Sequence, residues 1–292
     1  MVRNMHFQKK PIATMACLCA ALLLAQRLAA QAPMPQQDPA AVAIVKQVGE
    51  RELDAYRRHQ EYFFISEERS DRTNQHLWLE AVAETPHGKL RRLLQEDGKP
   101  LTPQRRQQED ARIAALAADP AKLEAASRAR QQDEEHAQTL FQTSAGMYIF
   151  SFENSSASGP ELGLLMKINF RPNPAYDPPT YEQRVLHALA GSILIERESL
   201  RLREIDARIV EDVKFGWGIL GEVQPGGTLH LVRIHAAGDD YKPVLLDMNM
   251  QGHMLIFHTL SRTQHLVHRG FVPLAPGLPL ADAGKIVLAA TP

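Results

Sequence analysis

The sequence predicts a mainly β protein of the α+β class, built on a large antiparallel sheet. Three observations carry this reading. From Val185 to Val272 strand patterns follow one another through short turns, with almost no helical periodicity between them. An earlier block, Tyr62 to Gln95, alternates in the same way. Between the two, Thr102–Pro103 and Asp119–Pro120 each place a capping side chain before a proline, the signature of a helix start.

Taken in order, the first element is a helix. Asp38 can cap it with Pro39 at its first position, and Val42, Val45 and Leu53 recur at roughly helical spacing, with Tyr56 close behind. Charged residues from Lys46 to Arg58 fill the other positions, so the helix is amphipathic and about five turns long. Three antiparallel strands follow: Glu61–Arg69, His76–Glu84 and Lys89–Gln95, with His87–Gly88 as a turn and Asp97–Gly98 closing the unit. The stretch 103–141 then reads as an inserted helical hairpin. Its large apolar groups are few (Ile113, Leu116, Leu123, Leu140), which predicts a solvated arm projecting from the sheet and free to face a partner in the envelope.

Strands resume at Gly146–Glu153 and Leu162–Phe170. Pro172, Pro174, Pro178 and Pro179 predict a stiff loop that cannot pair inside a sheet. In the final meander Ile193 and Ile195 share a face. Leu200 and Leu202 share one as well, but Ile205, Ala207 and Ile209 continue on the other parity, which predicts a β-bulge near Arg203 and local curvature. Val244, Leu246, Met248 and Met250 line one side of a strand, His253, Leu255 and Phe257 one side of the next, with Gly252 at the hairpin turn. After Pro273 the Pro/Gly/Ala-rich residues 274–292 read as a flexible tail.

The first 32 residues read as a signal peptide. Arg3, Lys9 and Lys10 form a basic start, and Ile12–Ala25 is an apolar run too short for a comfortable membrane span. Small residues follow, with cleavage expected after Ala30 or Ala32, and the expected location is the periplasm. Both cysteines, Cys17 and Cys19, lie in that run, so the exported chain would have no thiol and no disulfide. These 32 residues hold four basic side chains (Arg3, Lys9, Lys10, Arg27) and no acidic one. The remainder carries 29 Lys and Arg against 34 Asp and Glu, a net of −5 that speaks against nucleic acid as a partner. Residues 33–273 read as a single domain.

Catalytic signatures are sparse, and no enzyme activity is expected. There is no Gly-x-Ser-x-Gly, and Ser192 opens a strand where a nucleophile would need a strand-to-helix elbow. The pairs Glu67–Glu68 and Asp239–Asp240 are adjacent, so in strands their side chains point to opposite faces and read as surface carboxylates. Six of the twelve histidines fall between His230 and His268, but the parities of His253 and His258, and of His265 and His268, do not focus them on one point; no metal or cofactor is expected. Phe215, Trp217 and Ile219 alternate with glycines, a pattern of core packing that also suits an apolar ligand.

Gly191–Ile209 (GSILIERESLRLREIDARI) resembles the strand–turn–strand of the outer-membrane lipoprotein-sorting proteins. There a Gly-x-hydrophobic-x-Ile-Asp/Glu strand leads through a short turn ending in Ser or Thr to an Arg-containing strand. The runs Asp97–Pro103, Val213–Ile219 and Gly252–Phe257 are similar to secreted bacterial relatives of that group. The likeness extends over most of residues 55–272 and is pattern-rich in 191–272. It implies a half-closed barrel, a strongly curved antiparallel sheet with helices plugging its concave face. It also implies a cavity that accepts lipoprotein acyl chains. The chain departs from the carriers by its helical arm and its Pro-rich loop, and no carrier binding residue maps onto it.

The expected function is binding or carriage of a lipophilic cargo on the hollow side of the sheet. The alternative is a structural or envelope-assembly module whose cavity is filled by its own side chains. Candidate lining residues are Ile193, Ile195, Trp217, Val232 and Ile234 on the earlier strands. Leu246, Met248, Met250, Leu255 and Phe257 join them on the later ones. Sequence leaves open which strand parity faces the cargo.

Overall fold

A computed structural model describes residues 37–58, 60–128, 146–153, 164–215, 221–250, 252–254 and 262–292. The expected signal peptide, the second half of the expected arm and the glycine-flanked Trp217 lie outside the described residues.

Helix α1 (Pro39–Arg57) starts as its sequence dictates: Asp38 Oδ1 accepts from the backbone N–H of Ala40 at 2.9 Å and of Ala41 at 3.3 Å. Strands β1 (Tyr62–Arg69), β2 (Trp78–Thr85) and β3 (Gly88–Glu96) form a meander, extended by the two-residue β4 (Lys99–Pro100). Asp97 (φ 51°) and Gly98 (φ 73°) make the tight turn between β3 and β4, both in the left-handed region that suits Gly and Asp. Helix α2 (Pro103–Ala117) is capped by Thr102, and α3 is described over 120–128. Strands β5 (Tyr148–Phe152), β6 (Leu165–Pro172), β7 (Leu189–Glu196) and β8 (Leu202–Ile209) follow, with helix α4 (Tyr181–His187) between β6 and β7. Three short strands, β9 (Val213–Phe215), β10 (Gly221–Val223) and β13 (Gly252–Met254), make a small second sheet. The long strands β11 (Thr228–Ala237), β12 (Asp240–Met250) and β14 (Arg262–Pro273) complete the main sheet, and α5 (Leu280–Ala289) ends the chain.

The main sheet has eleven antiparallel strands in the order β4-β3-β2-β1-β14-β12-β11-β8-β7-β6-β5. Two meanders, one from each sequence block, are joined where β14 pairs with β1. Neither sheet is closed or strongly curled, so the half-closed barrel is not part of the observed architecture. The bulge near Arg203 is present: Leu194 pairs with Glu204 and Ile195 with Leu202, leaving Arg203 as the extra residue.

The helices divide between the two faces, where a single plugged face was expected. Ala41, Val45 and Val48 of α1 pack on Phe150, Ile168, Ile193 and Ile195 at the β5–β8 end. Helices α2, α3 and α5 pack at the other end on Leu79, Ala81, Ala83 and Leu90. Those β2 residues have the opposite parity to Val82, which lies with Tyr62 and Phe64 in the α1-face direction of the sheet.

Three further expectations meet a different arrangement. The arm does not project as far as it is described: Ile113, Leu116 and Leu123 are buried, because three well-spaced apolar groups suffice when alanines let the helix lie close. The residues after Pro273 carry α5, whose Ala283 and Val287 are fully buried and whose Gly284 sits against Ala117; a Cβ there would come within 2.5 Å of the Ala117 Cβ. Gly252 does not turn β12 back on itself. Strand β12 pairs with β14, while β13 leaves for the small sheet, where a Cβ on Gly252 would meet the Glu222 carbonyl oxygen at 2.7 Å.

Candidate functional site

Register decides which side chains meet. One transverse row on the α1 face runs across seven strands: Phe152 opposite Ile168, then Ile193, Ile205, Leu231, Leu246 and Leu266. Every member is apolar. The next residue in the row is Glu68. One position along the same strands, on the opposite face, the row reads Ser151, Asn169, Ser192, Asp206, His230, Asp247, His265 and Arg69. Every member of that row is polar. The next row on that opposite face is mixed, Lys167, Leu194, Glu204, Val232, Leu245, Val267 and Glu67, so the unbroken apolar row lies on the α1 face.

Helix α1 covers the start of the apolar row, where Ile168 and Ile193 are buried. Ile205, Leu231, Leu246 and Leu266 are half-buried. At about 4.8 Å per strand these four span about 14 Å. Leu229 opposite Met248 makes a second apolar step beside them, and Met250 packs toward the core under α1.

Ion pairs flank this track and close its far end. Alongside β8 and β11, Glu52 of α1 takes Arg201 at 3.1 Å, Arg233 at 2.8 Å and the Leu202 backbone N–H at 3.0 Å, tying the helix to both strands. Burial pushes the Glu52 carboxyl up, but the Arg233 and Arg201 charges and these hydrogen bonds outweigh it and hold it below the usual carboxylate range. Arg201 is buried under the Tyr241 ring, 4.8 Å from its centroid, and also engages Asp239.

The far end is a network on β1–β3 and the 3-10 turn Asp71–Thr73 between β1 and β2, with both carboxylates buried. Arg72 donates to Glu68 (2.5 Å) and Glu80 (2.6 Å), and Arg91 donates to Glu68 (3.0 Å), Glu80 (2.8 Å) and Ser66 Oγ (3.1 Å). Glu68 is 6% exposed and Glu80 2%. Burial raises the Glu68 carboxyl, but Arg72, Ser70 and Arg91 overcome it and bring it down to about 2. Glu80 is lowered as well, burial being overcome by Arg91 and Arg72. Beside this network His268, opposite Ser66 on the α1 face, packs on the Phe64 ring at 4.6 Å. Burial first, then the charges of Arg91 and Lys89, push its imidazole down to about 4.

The candidate lining residues separate cleanly. Ile193, Ile195, Leu246, Met248 and Met250 share the α1 face, Ile195 being wholly buried beneath the helix. Val232 and Ile234 lie on the opposite face, since they alternate with Leu231 and Arg233. Trp217, Leu255 and Phe257 lie outside the described residues. Sequence reasoning missed these ion pairs. It read Glu68 as a surface carboxylate, whereas it is buried; the available signal was charge on the core parity of apolar strands, Glu80 within LEAVAE and Arg91 within KLRRLL. Of the late histidines, His265 Nδ1 lies 2.5 Å from Asp247 and His230 Nε2 3.4 Å from Glu204. No three metal-ligating groups converge among the described residues.

A cleft of about 240 Å³ opens beside the C-terminus of α1, lined by Arg58, Gln60, Tyr62, Asp239 and Asp240. Its polar groups are mutually engaged: Asp240 accepts from the Tyr62 hydroxyl at 3.0 Å and the Gln60 N–H at 3.2 Å, and Arg58 holds Asp54 at 3.2 Å. No helix among the described residues is long and apolar enough to cross a membrane. The chain matches no family model, no curated protein and no solved structure.

Proposed function

We propose that this chain is an exported, periplasmic binding or carrier protein for a lipophilic cargo, lipoprotein acyl chains being the class suggested by the likeness to lipoprotein-sorting proteins. One observation carries the reading: the half-buried apolar run Ile205, Leu231, Leu246 and Leu266 continues, strand by strand, the row that α1 buries at Ile168 and Ile193. Covering about 200 Å² of cargo there would contribute about 5 kcal/mol before the cost of association. Such a site selects by shape and greasiness, so no sharp sequence motif accompanies it. Export is supported by the basic and apolar start of the chain.

The half-closed barrel enters here as the cargo-loaded form. Support for it is the set of register shifts that leave an extra residue on β14, β3, β8 and β12, since bulges are where strands bend. The competing reading, a module filled by its own side chains, is favoured by the complete burial of Ile195 and Ile168 under α1.

A fluorescent fatty acid titration separates the two. Wild type and Val232→Glu, on the opposite face from the track, are expected to bind alike, while Leu231→Glu and Leu246→Glu lose at least tenfold in affinity. Absence of binding by wild type, together with no co-purifying lipid in native mass spectrometry of protein from its own host, would leave the self-filled module as the answer.

A further inference from the structure

His268 has chemistry that the apolar track does not use. It stands two residues along β14 from Leu266, on the same face, so its ring lies at the charged end of the track. Its Nδ1 is 3.2 Å from the Pro243 carbonyl oxygen. A carbonyl oxygen only accepts, so Nδ1 carries the hydrogen and Nε2 of the neutral ring presents a lone pair. That Nε2 is buried and has no hydrogen-bond partner; among the described residues no other buried side-chain nitrogen or oxygen is left so. A buried acceptor without a donor is costly, and such an atom calls for an explanation.

We propose, resting on the carrier reading above, that His268 Nε2 receives a neutral hydrogen-bond donor at the polar end of the cargo. The cargo is then an alkyl or acyl chain ending in a hydroxyl or amide N–H.

The surroundings select that chemistry. A carboxylate would meet the imidazole lone pair and the Glu68 carboxylate, while the guanidinium of the neighbouring Arg91 is already engaged by Glu68, Glu80 and Ser66. An ammonium group would gain from Glu68, but burial and the fields of Arg91 and Lys89 outweigh it for a positive charge at this place, as they do for the ring. A neutral donor meets neither objection. The Phe64 ring against the imidazole excludes competing solvent from one side.

Displacement titrations on the full exported chain test the assignment with three probes of equal tail: cetyl alcohol, palmitic acid and methyl palmitate. For wild type the alcohol should bind about tenfold tighter than the ester, which lacks a donor, and tighter than the acid at neutral pH. In His268→Phe that advantage should vanish while ester affinity holds. Equal affinity for alcohol and ester in wild type overturns the inference and leaves carriage standing; so does selectivity that survives in His268→Phe, which would make Nε2 the partner of a buried water. The wild-type comparison decides the point even if the variant does not fold. Failure of all three probes to bind wild type overturns the carrier reading and this inference together.

Discussion

Charge buried at single positions on β1–β3 governs how this protein responds to pH. Glu68 and Glu80 are each shared between Arg72 and Arg91, so removing one carboxylate leaves guanidinium charge without its partner in a dry place. Glu68→Gln is expected to cost about 3–5 kcal/mol in urea unfolding, while Glu67→Gln, one residue away on the other face, should cost far less. The Glu68 carboxyl is lower in the folded than in the unfolded chain, so its contribution is present above the ordinary carboxylate range and is lost as pH falls toward about 2. His268 acts in a higher window. Its folded value of about 4 lies below the ordinary 6.5, so the unfolded chain takes up the proton first and stability declines as pH drops from 6.5 to 4. Urea midpoints across that interval should slope in wild type and flatten in His268→Phe; an unchanged slope would place the titrating group elsewhere.

Among the elements, α5 shows how a segment of unassuming composition becomes structural. Its Ala283, Gly284 and Val287 offer little apolar area, yet they fit against α2 and over β2 and β3 because small residues permit close approach. Arg92 of β3 also donates to the Ala290 carbonyl at 2.9 Å, satisfying the helix C-terminus. Ending the chain after Pro273 would uncover Leu79, Leu90, Ile113 and Leu116. The expected loss is roughly 3–6 kcal/mol, seen as a lower Tm and new binding of a hydrophobic dye; an unaltered Tm would show the helix to be dispensable. At the other edge of the sheet, Gln37 performs a related service with one side chain. Its amide donates to the Tyr148 carbonyl at 3.4 Å and accepts from the Phe150 N–H at 2.8 Å, and the Asp38 N–H reaches the Phe150 carbonyl at 3.0 Å. These bonds occupy backbone groups that an open edge strand would offer to another chain.

For the molecule as a whole, the decisive contact is β14 on β1. It pairs Tyr62 with Pro273 and Arg69 with His265, joining a block near the start of the chain to one near its end. Such pairing closes a very long loop before it yields any stabilisation, so refolding from urea should take milliseconds to seconds or longer; a dominant microsecond phase in rapid mixing would contradict this topology. Much of what feeds into that sheet was legible beforehand. Local chemistry announced the caps at Asp38 and Thr102, the Asp97–Gly98 turn, and the bulge at Arg203, because each depends on residues within a few positions of one another. The candidate site was legible only by strand. Alternation says that Leu231 and Val232 face opposite ways, but not which of them meets Leu246 and Leu266.

What the amino-acid order determined alone is therefore the inventory: antiparallel strands in two blocks and helices at their capped starts. Only tertiary structure decided that α1 and α5 lie on opposite faces, that β12 pairs with β14, and that Glu68 is buried at the end of a greasy row. The physical reason is range. Turns, caps and bulges are set by neighbours along the chain. The face a strand buries is set by partners that can lie two hundred residues away, and the Tyr62 to Pro273 pairing is such a case.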